Sequence, residues 1–161
     1  MTDYKVLFGV EHLSALDTCV SLAFDTETLQ LQPEKGKLRL IQLGCLARKT
    51  IVLIDCFELG AEDWKRLRLF FSNGQRFWLA HNAVFDLGWL QEHGIHVEGR
   101  VRCSMIASRL LNNGVPNMKH GLDAVAKRYL KREVDKEEQR SDWSGELSLN
   151  QLKYAATDVE V

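Results

Sequence analysis

The sequence predicts an α/β domain built on a mixed β-sheet with helices on both faces. Three observations predict it: three apolar runs in succession near the N-terminus, a later apolar strand between amphipathic stretches, and a helical close. One domain spanning residues 1–161 accommodates them all.

The first runs are "SLAFDTE", "KLRLIQLGCLA" and "TIVLID", separated by "TLQLQPEKG" and "RK". Three strands so closely spaced suit adjacent, largely antiparallel partners. "AEDWKRLRLFFSNG" carries acids in its first turn, sets Trp64, Leu67 and Phe71 on one face and stops at Gly74, which predicts a helix. "RFWLAHN" reads as a short strand, and "NAVFDLGWLQEHG" as a helix that Asn82 can cap and Gly94 can end. "SMIASRLLNNG" and "GLDAVAKRYLK" read as two more helices, the second with Leu122, Val125, Ala126, Tyr129 and Leu130 at amphipathic spacing. A charged loop, "REVDKEEQRSDWSGE", leads to a last helix that opens on a capping box of Ser148 and Gln151.

Composition narrows the function. With 45% hydrophobic residues, 27% charged and two prolines, the chain is an ordinary globular mixture. The net charge of -1 excludes a histone-like binder, so contact with a polyanion must rest on local basic groups or on metal ions. Cys19, Cys45, Cys56 and Cys103 stand far apart with no C-x-x-C pair, which predicts reduced core thiols rather than a disulfide framework or zinc site. "MTDYKVLFGV" lacks the pattern of a secretory signal and no run approaches a membrane span, so a soluble, cytoplasmic protein is expected.

The chemistry emerges once the acids are placed on these elements. Residues two apart on a strand share a face, so Asp25 and Glu27 project together from the end of the first strand. Residues four apart on a helix are neighbours, which pairs Asn82 with Asp86 and Tyr154 with Asp158. Each segment alone has an ordinary reading as a turn, a helix-dipole partner or a solvated acid. Together they set acids beside core-like sequence without a basic residue at matching spacing, and half-buried carboxylates of that kind call for divalent cations.

These segments resemble the DEDD 3′-to-5′ exonucleases of the tyrosine subgroup. "FDTET" is similar to the D-x-E motif, "HNAVFD" to the second motif with its N-x-x-F-D core, and "YAATD" to Y-x-x-x-D, all in family order. "HGLDAVAKRYL" and "DKEEQRSDWSGELSLNQLKYAATDV" also resemble ribonuclease D and nanoRNase C relatives, and the proofreading domains of family A DNA polymerases are similar. The resemblance implies a ribonuclease H-like fold. It implies two divalent ions, Mg2+ or Mn2+, on Asp25, Glu27, Asp86 and Asp158, with Tyr154 orienting the attacking water. It further implies a single-stranded RNA or DNA 3′ end as partner, held by Thr28, Leu31, His81, Asn82 and Phe85. The hydrolysis expected is release of nucleoside monophosphates by a two-metal mechanism.

Ordinary readings stand beside these roles. Leu31 and Phe85 are equally readable as core residues, and His120 as a polar helix start or a phosphate contact. The basic groups Lys65, Arg66 and Arg68, and Lys127, Arg128, Lys131 and Arg132, read first as solvated helix faces. Cys103-Ser104 departs from the Asp-Thr that many relatives carry before the "MIAS" helix. The family's last helix continues beyond the position of Val161, so an excised domain or a stand-alone enzyme with a clipped tail is expected. Two other classes compete: a haloacid-dehalogenase-type phosphatase, which wants Asp where Glu27 stands, and a catalytically silent nucleic-acid-binding or scaffold module of the same fold.

Overall fold

A computed structural model of the chain describes residues 3–134, 138 and 141–161. Residues 135–137 and 139–140, inside the "DKEEQR" stretch that carries part of the family resemblance, lie outside the described residues.

Six strands form one sheet: β1 (Lys5–Phe8), β2 (Ser21–Thr28), β3 (Leu38–Cys45), β4 (Thr50–Asp55), β5 (Phe77–Ala80) and β6 (Arg100–Cys103). Their spatial order is β1-β4-β3-β2-β5-β6. The expected antiparallel run is present, since β2 pairs with β3 and β3 with β4. β1 joins β4, β5 joins β2 and β6 joins β5 in parallel, so the sheet is mixed as predicted. β1 and β6 are edge strands that the sequence reading passed over. Each is four residues long and half exposed, too short for a period-two pattern to stand out.

The helices are α1 (Ala61–Phe71), α2 (Ala83–Glu92), α3 (Ser104–Leu111), α4 (Leu122–Val125) and α5 (Leu149–Glu160). α1 starts with the backbone N–H of Gly60 donating to the Asp63 carboxylate at 3.1 Å. α5 starts on the expected capping box, with Gln151 N–H donating to Ser148 and Ser148 N–H donating back to the Gln151 side chain. α2 ends as foreseen: Gly94 takes φ +70° and Ile95 N–H donates to Leu90 O at 2.9 Å.

Helix α4 corrects its expected pattern. It widens into a π-helical turn over Ala126–Leu130, and of the five apolar residues named above only Ala126 is fully buried. The wider turn slips the face by part of a residue and leaves Tyr129 and Leu130 about half exposed, at 47% and 50%.

Alternation along the strands divides the interior in two. Leu22, Phe24, Ile41, Leu43, Ile54 and Trp78 pack with residues of α1 and α2 on one face. Leu40, Ile51 and Leu53 pack with Trp143 and with Ala155, Ala156 and Val159 of α5 on the other. Arg39 and Asp55, buried at adjacent strand positions, neutralise each other at 2.9 Å.

Two cysteines depart from expectation. Cys19 and Cys45 form a disulfide rather than reduced thiols, while Cys56 and Cys103 are free. Pairing of Ala23 with Gly44 lays the entry to β2 beside the end of β3, which brings together cysteines 26 residues apart in sequence. Sequence spacing carries no sign of that proximity.

Gly44 sets the depth of α5. A Cβ there would stand 2.6 Å from the Val159 carbonyl oxygen and 3.1 Å from its Cβ, so only glycine lets the helix settle this close to β3. Gly44→Ala is expected to destabilise the fold by about 1–3 kcal/mol through overpacking and to lift the helix that carries Tyr154 and Asp158. Denaturant melts and a crystal structure of the variant check this; an unmoved α5 with unchanged stability would count against it.

Candidate active site

The acids converge at one end of β2. Leu22 and Phe24 belong to the α1/α2 side, so alternation turns Ala23, Asp25 and Glu27 toward α5. α5 delivers Asp158, and carboxylate oxygens of Asp25, Glu27 and Asp158 all lie within 4.8 Å of one another. Thr26, between the two β2 acids, points to the opposite face and donates from Oγ1 to Asp86 Oδ1 of α2 at 2.7 Å. Asp86 thus stands on the second wall of the cleft, outside the three-acid cluster. It is nonetheless the strongest charge acting on Asp25.

These four groups and Tyr154 line a cleft of about 770 Å³. Burial, then mutual repulsion, holds their protons tightly. Desolvation followed by the charges of Asp86, Glu27 and Asp158 raises Asp25 well above the carboxylate range. Desolvation and the charges of Asp158 and Asp86 push Glu27 up to about 9. Desolvation raises Asp86 to about 7 against the opposing hydrogen bond from Thr26. Asp158 is likewise raised by desolvation to about 7, opposed by the hydroxyl of Tyr154, which donates to it. Tyr154 itself is pushed up by burial and the adjacent acids, which keeps its phenol protonated as a donor.

The residues expected at the substrate end have mixed placements. Leu31 is 83% exposed at the margin of the same cleft, so it is not a core residue. Phe85 is half-buried against Trp89, with ring centroids 6.3 Å apart, and also faces the cleft. Thr28, His81 and Asn82 line it too. Asn82 occupies the N-cap position of α2 in a left-handed conformation (φ 58°), but its side chain makes no capping bond. His81 Nδ1 lies 2.9 Å from Ser104 Oγ at the start of α3. His120 is drawn away by a 2.9 Å contact between its Nδ1 and Ser108 Oγ.

The basic clusters behave as solvated faces apart from Arg128, which is half-buried and donates to Ser108 Oγ and to the Lys119 carbonyl. Lys65 pairs with Glu62, Lys127 with Glu133 and Arg132 with Glu160. Three site neighbours escaped the sequence reading: Thr26, Gln42, whose Nε2 lies 3.3 Å from Glu27 Oε1, and Trp143, whose ring centroid is 6.4 Å from that of Tyr154. Gln42 alone had a visible signal, an uncharged polar residue inside the apolar run "LIQLGC".

The donor set fits a divalent ion. Hard carboxylate oxygens this close together, with none of the four acids in an ion pair among the described residues, suit Mg2+ or Mn2+ rather than a soft metal. Fold and site together give an α/β domain with a carboxylate-lined cleft at one end of β2. The chain matches the 3′-5′ exonuclease family over residues 10–161 and belongs to it. It is 30% identical to ribonuclease D of Haemophilus influenzae over 160 residues, covering 99% of this chain and 38% of that protein. It therefore spans well under half the length of that relative. Among solved structures, NrnC of Brucella melitensis bound to pGG superposes with a TM-score of 0.77 at 27% identity, over 98% of this chain and 76% of that one. Ribonuclease D of Escherichia coli, at 23% identity, shares the fold with a TM-score of 0.81 over 98% of this chain and 41% of its own. The sheet is accordingly of the ribonuclease H-like exonuclease type. Among the described residues no helix is long and apolar enough to cross a membrane.

Proposed function

We propose that the chain is a divalent-metal-dependent 3′-to-5′ exonuclease that trims the 3′ end of single-stranded nucleic acid, RNA or DNA, and releases nucleoside monophosphates. The observation that carries this reading is the approach of Asp25, Glu27 and Asp158 to within 4.8 Å, with Asp86 in the same cleft. Family membership and the pGG complex of the NrnC relative support it.

Asp25, Glu27, Asp86 and Asp158 would hold two Mg2+ or Mn2+ ions, which when bound supply the charge that activates water and stabilises the departing 3′-oxygen. The chain's own part is positioning. Thr26 holds Asp86 in place by its 2.7 Å hydrogen bond. Tyr154, kept protonated by burial and by the negative charge of the nearby carboxylates, serves as a hydroxyl that orients the attacking water rather than as a base. Leu31 and Phe85 offer apolar surface to the terminal bases without reading their identity. Thr28, His81 and Asn82 supply polar contacts to the sugar-phosphate at the cleft margin.

Incubation of 5′-labelled RNA and DNA oligomers with the protein, with Mg2+, Mn2+ or EDTA, tests this. Stepwise shortening from the 3′ end with monophosphate release, abolished by EDTA, is the expected result. Binding without shortening would make the chain a silent nucleic-acid-binding module, and release of inorganic phosphate alone would make it a phosphatase.

A further inference from the structure

Gln42 lies in the middle of β3, directly across from Asp25 on the neighbouring strand, and is fully buried. Alternation with Leu40 turns it to the α5 side of the sheet, the face that carries Asp25 and Glu27. Its Nε2 donates to Glu27 Oε1 at 3.3 Å. Its Oε1, equally buried, has no hydrogen-bond partner.

We propose that Gln42 is a positioning residue that fixes the Glu27 carboxylate for divalent-ion binding. This rests on the reading of the cleft as a metal site. Glu27 needs such a support for two reasons. The β2–β3 register shifts between Glu27 and Thr28, so the backbone ladder is irregular beside this residue. A glutamate also has one more rotatable bond than the aspartates around it, so its carboxylate has more freedom to be fixed.

An amide suits this task better than the alternatives. A lysine or arginine would neutralise the cluster and compete with the ion, whereas a neutral N–H engages one oxygen and leaves the other for coordination. The unpartnered Oε1 argues against a filling role, because an apolar side chain of similar size would occupy the same space without an orphaned acceptor.

The test is Mn2+ binding measured by calorimetry or electron paramagnetic resonance on the wild-type chain, Gln42→Met and Gln42→Leu, with melting temperatures of the metal-free proteins. The expected result is a rise of about tenfold or more in the Mn2+ Kd of the Met variant, with a metal-free melting temperature equal to or above wild type. Gln42→Leu serves in the same way if the Met variant does not fold. Unchanged Mn2+ affinity with a lowered metal-free melting temperature would make Gln42 a packing residue and overturn the proposal. Absence of Mn2+ binding by the wild-type chain would instead overturn the metal-site reading itself, a distinct outcome.

Discussion

Asp158→Asn is expected to remove nearly all 3′-end trimming while leaving the fold intact. Asp158 is the acid that α5 contributes to the three-carboxylate cluster, so its charge is shared with Asp25 and Glu27 across less than 4.8 Å. Asparagine keeps the volume and the oxygen that accepts from Tyr154, but removes the negative charge an ion would need. A metal-supported site loses several kcal/mol of transition-state stabilisation when its charge balance fails, so the drop in kcat/KM should be at least about 10³-fold. Steady-state digestion of a labelled oligomer measures it, with circular dichroism as the folding control. Undiminished trimming would place the activity in another centre or in a contaminant.

The second large effect is on stability and runs opposite to activity. Glu27, Asp86 and Asp158 have folded-state pKa values raised to about 9, 7 and 7, and Asp25 is raised as well. The unfolded chain releases these protons near pH ~4, so between about pH 4 and 9 the folded state binds more protons than the unfolded one. Stability of the metal-free protein should therefore fall as pH rises through that window. Below about pH 4 both states are protonated and the penalty disappears.

Mg2+ or Mn2+ should reverse the loss at pH 8 and do little at pH 5, where protons compete for the same oxygens. Under metal-free conditions at pH 8, Asp25→Asn should raise the melting temperature, because asparagine removes a buried carboxylate that the neighbouring acids repel. Calorimetric melts across pH, with and without metal, measure all three effects. A metal-free melting temperature that climbs from pH 5 to pH 8 would contradict the raised pKa values.

Opposite signs in the two experiments have one cause. The cleft concentrates negative charge at the cost of the folded state, and a cation turns that cost into binding energy. A site selected for stability alone would replace these acids.

The sequence by itself determined the periodic elements and the acids they carry. Alternation in "SLAFDTE" put Asp25 and Glu27 on one face, the capping box of Ser148 and Gln151 started α5, and helical spacing joined Tyr154 to Asp158. These are local relations, set by the geometry of one strand or one helix. Only the tertiary structure decided that Asp25, Glu27 and Asp158 form a cluster while Asp86 stands across the cleft on Thr26, that Cys19 meets Cys45, and that Gln42 supports Glu27. Each of these depends on which strand lies beside which and on how deeply a helix settles on the sheet. Strand register and helix depth follow from many weak, long-range packing contacts that leave no periodic mark along the chain.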